Sequence, residues 1–338
     1  MRHKGDLQAV INSIASSPAL VRATDVNGWT LLHVFARLSL APAVKQLLML
    51  GAAPEARDAT FRSALHLAAR ADALVPGAPR DGDARSADVV GTLTALLAGG
   101  ARVTARDSFG LTALHHAAQA GHTAAVELLL SLRTNRELHM PRAPLEAETN
   151  AEERAIHLAA AGGHADTVKS LLEHNAHPGH TNYLGQTALH LAVLGGDAPR
   201  ALATVKLLVG REWRVDVNAK AADGGTPLHA AAAHGHARVV KALLAAPNTE
   251  RRGGHRSTKL DAVDGRGRTP HAAAKAEGFD DVAEILDAAR LKAEATEARR
   301  PAEEAAALRA AMGEMRMGGG GGGGGFGGGG GLPPMPEE

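Results

Sequence analysis

The sequence contains no cysteine, and aromatic residues make up only 2% of it. The lack of cysteine excludes disulfide bridges, thiolate metal ligands and a cysteine nucleophile, and it suits a reducing compartment. Hydrophobic residues nevertheless make up 45% of the chain, so a core must be built from Ala, Leu and Val. Side chains of this size favour small helices that approach one another closely over a bulky globular centre.

The chain also lacks a strong net charge and a long apolar run. Its 37 basic and 36 acidic residues leave a net charge of +1. The sequence therefore has no excess of positive charge that would attract a nucleic-acid backbone or an anionic membrane. No stretch approaches the roughly 20 apolar residues that cross a bilayer, and no signal-peptide core precedes Asp6. We therefore expect a cytoplasmic and/or nuclear protein with no nucleic-acid partner and no membrane span.

One short phrase recurs along the chain: Thr, Ser or once Arg, then two residues, then His. The histidines at 33 and 66, and again those at 157 and 190, are 33 residues apart, and the other intervals are one such unit plus an insertion. A seventh, degraded copy is Thr269-Pro-His-Ala272. A fixed period of this length is typical of repeat architectures. The six fuller copies are Thr30–His33, Ser63–His66, Thr112–His115, Arg154–His157, Thr187–His190 and Thr226–His229.

Each copy continues with small residues, a glycine and an apolar segment that ends in Leu-Leu. In the third copy, Gly110 to His122 reads Gly-Leu-Thr-Ala-Leu-His-His-Ala-Ala-Gln-Ala-Gly-His, and Val126-Glu-Leu-Leu-Leu130 follows. This pattern resembles the ankyrin repeat, Asp-x-x-Gly-x-Thr-Pro-Leu-His-x-Ala-Ala-x-x-Gly-His followed by Val-Val-x-Leu-Leu, over about residues 25 to 289. The resemblance implies an all-α repeat solenoid of helix-turn-helix pairs with β-turn finger loops.

The residue types of the repeat have physical reasons. A Thr or Ser before a short helix can cap its backbone N–H groups, and Pro227 and Pro270 stand where a helix tolerates proline best. Alanine pairs such as Ala117-Ala118 let a second helix come close, and glycines such as Gly121 end the first helix. Helices this short are marginal alone, so we expect their stability to come from stacking on neighbours.

The repeat pattern divides the chain into four segments. Apolar residues at helical spacing (Leu7, Val10, Ile11, Ile14) predict an N-terminal capping half-repeat. A later stretch rich in Ala, Glu and Arg predicts a helix broken at Pro301, and the Gly-rich end cannot bury enough surface to fold. The segments are residues 1–24, the capping half-repeat; 25–289, about seven ankyrin repeats with insertions near 72–86, 133–150 and 247–259; 290–317, the helical segment; and 318–338, a disordered Gly/Pro-rich tail.

Nothing in the sequence predicts an enzyme or a cofactor, since Walker-type, nucleophile-elbow and His-Glu-x-x-His motifs are missing. The ankyrin resemblance implies that the repeated histidines bond backbone groups or the capping Thr. The alternative is a metal-dependent activity that uses His174, His177 and His180, which lie three residues apart in a finger with no obligatory fourth ligand. Asn218 also resembles the finger asparagine of the family that can be hydroxylated, although Gly210 replaces the leucine typical upstream.

In ankyrin proteins the partner is usually held by the finger turns and the inner helices, on the concave face. The resemblance therefore predicts partner contacts at Phe109, Tyr183 and Leu184 on finger tips, at Arg106 at the end of the preceding finger, and at Trp213 in an irregular finger. The alternative is that these rings only pack across adjacent fingers. Our interpretation is a non-enzymatic adaptor or scaffold, monomeric by itself, that binds one or more proteins. The alternative function is a regulatory subunit or inhibitor that masks one partner.

Overall fold

A computed structural model gives the structure of the protein. It describes Ile14 and residues 18–71, 82–131, 143–195, 198–210, 212–213, 215–246 and 258–317. The predicted tail, residues 72–81, 133–142 and 247–257 of the three insertions, and Leu7, Val10 and Ile11 of the capping stripe lie outside the described residues, whereas Ile14 is buried. The chain divides into two compact units, residues 1–287 and 288–338.

The described residues form fifteen α-helices and no β-strand. Twelve of these helices have only seven to ten residues. The helices are α1 (Pro18–Arg22), α2 (Leu31–Arg37), α3 (Ala41–Met49), α4 (Ala64–Arg70), α5 (Gly82–Ala98), α6 (Ala113–Ala120), α7 (Thr123–Ser131), α8 (Ala155–Ala161), α9 (Ala165–Glu173), α10 (Ala188–Leu194), α11 (Pro199–Leu208), α12 (Pro227–Ala233), α13 (Ala237–Leu244), α14 (Pro270–Ala276) and α15 (Asp280–Met317).

From α2 onward the described helices form seven consecutive pairs, and we number these pairs repeats 1 to 7. The first helices of the pairs contact one another in chain order, from α2 to α14. The second helices of repeats 1 to 6 contact their own first helix, and those of repeats 1 to 5 also contact the next second helix. Leu65, Leu114 and Leu189 hold the same place in three first helices, and each is completely buried. The core is therefore a layer that neighbouring repeats share, as the stacking hypothesis requires.

The sequence explains where a first helix begins and ends. Thr112 precedes α6 in an extended conformation, and its N–H donates to Nδ1 of His115 at 3.1 Å. The Thr112 hydroxyl lies 2.9 Å from the same nitrogen, which completes a capping box. Gly121 ends the helix with a φ of 72°, and glycine adopts this left-handed conformation without a steric penalty. Both ends of the short helix are thus set by residues of the repeated pattern.

Two predicted insertion boundaries differ from the structure. Residues 82–86, assigned to the first insertion, lie in α5, which has 17 residues. Residues 143–150, assigned to the second insertion, belong to an ordinary finger in which Thr149 N–H donates to Glu153 O at 2.9 Å. The insertions were predicted from their polar composition, and that composition does not show at which residue the next helix or the next finger begins. The predicted bounds are therefore too wide on the C-terminal side.

The last helix also differs from the prediction. It begins at Asp280, as the second helix of repeat 7, and continues to Met317 through Pro301. The break expected at this proline is not found. Proline removes one backbone donor, but the Ala, Glu and Arg residues around it are strong helix formers. None of the helices in the described ranges combines the length and the apolar character that a bilayer crossing needs.

Candidate partner-binding surface

A finger loop precedes each first helix, and one side chain holds its turn. In repeat 3, Oδ1 of Asp107 accepts the N–H groups of Phe109 and Leu111, both at 2.9 Å. Asp58 accepts two backbone N–H groups in the same way in repeat 2. Such turns depend only on residues a few positions apart. Each finger is therefore shaped by its own sequence before it meets a neighbour.

Backbone hydrogen bonds join each finger to the preceding one. Ser108 N–H donates to Thr60 O at 3.0 Å, and Tyr183 N–H donates to Ala151 O at 3.2 Å. This ladder satisfies backbone groups and brings the finger tips into one row. The donors and acceptors are Ala59 to Asn27, Ser108 to Thr60, Asn150 to Phe109, Tyr183 to Ala151, Ala222 to Leu184 and Gly265 to Asp223.

The repeated histidines join each repeat to the next. Because Nδ1 of His115 accepts the Thr112 N–H, Nε2 carries the proton and donates to Ala147 O in the following finger at 3.0 Å. The predicted structural role of these side chains is confirmed. Burial, which disfavours the charged imidazole, lowers the pKa of His66 and of His115 from 6.5 to about 4. The bridges run from His33 to Arg62, His66 to Ala105, His115 to Ala147, His157 to His180, His190 to Gly225 and His229 to Arg268.

The three predicted finger-tip contacts are exposed. Phe109 is 63% exposed, Tyr183 61% and Leu184 43%, although a backbone group of each takes part in the ladder. Packing across neighbouring fingers therefore covers less than half of either ring. A large side chain on a fixed backbone suits a binding hot spot, because little conformational freedom is lost on contact. The partner role of these residues stays a prediction.

The other two predicted contacts have different surroundings. The guanidinium of Arg106 donates to the carbonyl oxygen of Glu148, and the carbonyl of Arg106 accepts an N–H of Arg57 at 2.8 Å. Arg106 thus links three consecutive fingers while its side chain stays exposed. Trp213 is half-buried and packs against the core. The structure therefore places Arg106 in the row of fingers and assigns a packing role to much of Trp213.

The sequence analysis did not select two exposed apolar residues that lie in the row of fingers. Val26 is fully exposed and Phe61 is 62% exposed. Phe61 follows Asp58 by three residues, as Gly110 follows Asp107, and has a φ of 60° at a place where glycine is usual. A bulky residue in the left-handed region is strained, and such strain is concentrated at functional sites. Aligning the fingers on their Asp residues would have revealed Phe61.

An open groove lies between the fingers and the first helices of repeats 1 and 2. It is lined by Trp29, Arg37, Arg62, Leu67 and Arg70. The guanidinium carbons of Arg37 and Arg62 lie 5.4 Å and 5.9 Å from the centre of the Trp29 ring, which are cation–π distances. The sequence signal for this groove is the 33-residue spacing of Arg37 and Arg70, which puts both at one repeat position.

A second groove, of about 390 Å³, extends over repeats 2 to 4 and shares Arg62 and Arg70 with the first. Phe109 forms part of its wall, together with the buried pair His116 and Asp107, whose Nε2 and Oδ2 atoms are 2.9 Å apart. Burial alone would raise the pKa of Asp107, but hydrogen bonds from His116 and from backbone N–H groups lower it below the ordinary value. Asp107 therefore stays ionised beneath this groove.

The alternative metal site is not assembled. Nδ1 of His174 bonds to the carbonyl oxygen of Ser170 at 2.8 Å, while the rings of His177 and His180 are 4.6 Å apart. Within the ranges that the structure describes, no group of three or more His, Asp or Glu side chains is placed to hold a metal ion. Asn218, the other candidate for chemistry, uses its side-chain oxygen to accept a backbone N–H at 2.8 Å.

Comparison with known families and solved structures agrees with this geometry. A family model described as ankyrin repeats (3 copies) matches residues 84–182, 138–220 and 198–295. The ankyrin repeat domain of human ASB11 superimposes with a TM-score of 0.58 at 23% identity, over 76% of this chain and 98% of that one. The ankyrin repeat domain of Bcl-3, a member of the IkappaB protein family, gives a TM-score of 0.54 at 23% identity, over 76% and 98% of the chains. Identities this low show the fold alone.

Curated relatives are similar over part of their length. Probable E3 ubiquitin-protein ligase XBOS32 of Oryza sativa subsp. japonica is 35% identical over 133 residues, which cover 37% of this chain and 26% of that protein. Human inversin is 32% identical over 184 residues, covering 46% and 17%. Human neurogenic locus notch homolog protein 1 is 33% identical over 173 residues, covering 46% and 6%. The chain thus spans about a quarter or less of these relatives.

Repeats of this type are generally protein–protein interaction modules and are typically non-enzymatic. The capping boxes, the histidine bridges and the finger ladder recur from one helix pair to the next, and the family model covers more than half of the residues. The same fold is found in the solved ankyrin repeat domains. The chain belongs to the ankyrin-repeat family.

Proposed function

We propose that this chain is a non-enzymatic adaptor or scaffold that holds one or more partner proteins on its finger tips and first helices. The row of large exposed side chains on the fingers, Val26, Phe61, Phe109 and Tyr183, carries the proposal. The ladder fixes the backbone beneath these side chains, so a partner orders few groups when it binds. Exposed aromatics on a rigid frame are typical of interface hot spots.

The proposed setting is the cytoplasm, the nucleus or both, with the chain acting as a monomer. The absence of cysteine suits a reducing compartment. The near-balanced charge favours proteins over nucleic acid as partners. Fluorescence microscopy of the tagged chain and sedimentation of the purified chain test these two parts of the proposal separately.

Affinity capture from native cells, with the full chain as bait, tests the binding surface. Phe109→Ala combined with Tyr183→Ala should reduce partner recovery on the order of tenfold or more, with thermal unfolding unchanged because both rings are largely exposed. Met49→Ala is the matched control, since Met49 is 73% exposed but ends the second helix of repeat 1. If the double variant recovers the same partners as the unmodified chain, the surface is assigned wrongly.

The same capture separates an adaptor from a regulatory subunit or inhibitor. An adaptor should recover at least two partners whose co-purification depends on this chain. An inhibitor should recover one partner, whose own activity falls when the surface is masked. Recovery of a single partner with reduced activity would replace the adaptor proposal by the inhibitor.

A further inference from the structure

The side chain that holds a finger turn has a second polar atom, and this atom also needs a partner where it is buried. In repeat 2, Oδ1 of Asp58 accepts two backbone N–H groups, and Oδ2 accepts Nε–H of Arg62, four residues later, at 2.8 Å. In these fingers the turn residue is thus bonded to a residue of the same finger. Two other fingers use the same spacing, and their pairs are Asp264 with Arg268 at 3.0 Å and Asn182 with Gln186 at 3.3 Å.

The finger of repeat 3 differs from these three. The residue four positions after Asp107 is Leu111, whose side chain has no hydrogen-bond donor. His116, nine positions after Asp107, takes the place of the missing donor, and its Nε2 donates to Oδ2 of Asp107 at 2.9 Å. Because His116 belongs to α6, the finger of repeat 3 is bonded to its own first helix. The residues at the same place in repeats 2, 5 and 7 cannot donate; they are Leu67, Leu191 and Ala273.

The imidazole of His116 has little other polar contact. The residue is 3% exposed, and the ring of His66, on the preceding first helix, packs against it edge-on with 5.6 Å between the ring centres. Within the part of the chain that the structure describes, Nδ1 of His116 has no hydrogen-bond partner. A buried polar atom without a partner lowers stability, and the leucines of repeats 2 and 5 avoid that loss. The contact with Asp107 therefore gives the reason for a histidine here, whereas the packing of the repeat does not.

The contact extends to the finger tip through Asp107. While Oδ2 is bonded to the helix, Oδ1 accepts the N–H groups of Phe109 and Leu111, both at 2.9 Å. The ladder holds the same finger from its two neighbours, at the N–H of Ser108 and the carbonyl of Phe109. The ring of Phe109 is 63% exposed, so its position depends on the backbone that carries it more than on packing. His116 thus supplies the bond between this backbone and the first helix.

We infer that His116 is a positioning residue of the partner-binding surface, because it fixes, through Asp107, the finger tip that carries Phe109. The inference rests on the proposed function and adds to it a buried residue that the partner does not touch. A ring on a fixed backbone loses less freedom on binding, so loss of this hydrogen bond weakens binding while every contact group stays in the chain. The finger that carries Tyr183 is closed by its own residues and does not depend on His116.

Residue-resolved hydrogen exchange on the full chain tests the positioning without a partner. His116→Leu introduces the residue that repeats 2 and 5 carry at this place, and it should speed exchange of the Phe109 and Leu111 amides on the order of tenfold. His116→Gln keeps an N–H group that reaches the same carboxylate, so exchange should stay within about threefold of the unmodified chain. The matched control is the finger of repeat 5, where the turn residue accepts the N–H groups of Leu184 and Gln186. Their exchange should not change in either variant.

A second substitution tests whether His116 acts through Asp107. Leu111→Arg combined with His116→Leu gives repeat 3 the residues of repeat 2, an arginine four positions after the aspartate and a leucine nine positions after it. The arginine should bond the carboxylate and return the exchange of the Phe109 amide to within about threefold of the unmodified chain. Leu111→Met in the same background has no N–H donor and should not restore it. If His116→Leu alone does not fold, His116→Asn, whose amide is too short to reach the carboxylate, replaces it in the comparison.

Partner capture then connects the position of the finger to binding. His116→Leu should reduce partner recovery about threefold or more, and it should cause no further loss when Phe109→Ala is already present. Unchanged exchange in His116→Leu, equal acceleration in His116→Gln, or no restoration by Leu111→Arg would overturn the inference. If exchange responds as expected but capture is insensitive to Phe109→Ala, His116 fixes the finger and the finger-tip binding proposal falls. If capture depends on Phe109 while exchange does not respond, only the role of His116 falls.

Discussion

Repeats 1 to 3 and repeats 4 to 7 present different surfaces on the same buried frame. Four residues after the repeated histidine, or after Ala272 which replaces it in repeat 7, the first helices of the earlier group carry long polar side chains, and those of the later group carry Ala or Leu. All of these positions are at least partly exposed. The repeat pattern therefore determines what is buried and leaves the outward position open to variation. The positions are Arg37, Arg70 and Gln119 in the earlier group and Ala161, Leu194, Ala233 and Ala276 in the later group.

The frame itself is the same in both groups. Leu65 in repeat 2 and Leu189 in repeat 5 hold equivalent places, and both are completely buried. His66 and His190 both bridge to the following finger. Stability and recognition thus depend on different residues of one repeat. Substitutions in the frame should act alike in both groups, whereas substitutions on the surface should not.

The largest effect is expected from a charge placed in the frame. Leu65→Asp and Leu189→Asp should each lower the free energy of unfolding by about 4 kcal/mol or more, because an unpaired carboxylate would be buried. Leu194→Asp, on the same helix as Leu189 but 43% exposed, is the control and should cost less than about 1 kcal/mol. Urea unfolding followed by circular dichroism measures all three. A marked difference between the Leu65 and Leu189 variants would show that the two groups do not share one frame.

The second largest loss of unfolding free energy is expected on acidification. Burial lowers the pKa of His66 and His115 from 6.5 to about 4. In the unfolded chain these imidazoles bind protons below about pH 6.5, whereas in the folded chain they stay neutral down to about pH 4. The unfolded state therefore binds more protons in this window, and stability falls as the pH drops through it. Each shift corresponds to at most about 3 kcal/mol.

Urea unfolding at about pH 7 and about pH 5 measures this loss. His115→Gln should reduce the pH dependence, because glutamine does not titrate, although it also breaks the bridge to Ala147. Hydrogen exchange should show earlier loss of protection in α4 and α6, which carry the two histidines, than in α12. The same pH dependence in the variant and the unmodified chain would contradict a buried neutral His115.

A smaller effect distinguishes two finger glycines. Gly185 has a φ of 70°, and a Cβ there would lie 2.7 Å from the backbone N of Ala222, whereas Gly267 has a φ of 72° and open space around it. Gly267→Ala should cost about 1 kcal/mol for the left-handed conformation alone. Gly185→Ala should cost more, because the next finger must shift. If urea unfolding shows the same loss of unfolding free energy for both variants, the finger next to Gly185 can shift away from the added Cβ without destabilising the fold.

The smallest change in stability is expected for Phe61→Gly. Glycine relieves about 1 kcal/mol of left-handed strain but adds backbone freedom to the unfolded chain that offsets about 0.5–1 kcal/mol. The melting temperature should therefore hardly move, while partner recovery should fall if the early repeats carry the binding surface. Phe109→Ala provides the comparison in the next finger. A destabilisation well above about 1 kcal/mol would assign Phe61 to packing.

The sequence by itself determined the repeat, the ends of the first helices and the role of the repeated histidines. Thr112 and His115 are three residues apart, and the hydrogen bonds between them are local, so spacing alone predicts them. The exposure of Phe109 and Tyr183 was predictable for the same reason, since a finger turn is shaped by its own residues. The start of α5 within the first insertion was not, because a polar stretch can form either a loop or an additional turn of helix.

Only the tertiary structure decided which residues of neighbouring repeats meet. Arg37 and Arg62 lie against Trp29 because the first helix of repeat 1, through the bond from His33 to Arg62 O, lies beside the finger of repeat 2. Leu67 and Arg70 complete the groove from the next helix. Such contacts depend on how one helix pair stacks on the next, and no rule of local spacing contains that geometry. The grooves therefore exist only in the assembled array, although the local sequence of each repeat is enough to determine the helices that form them.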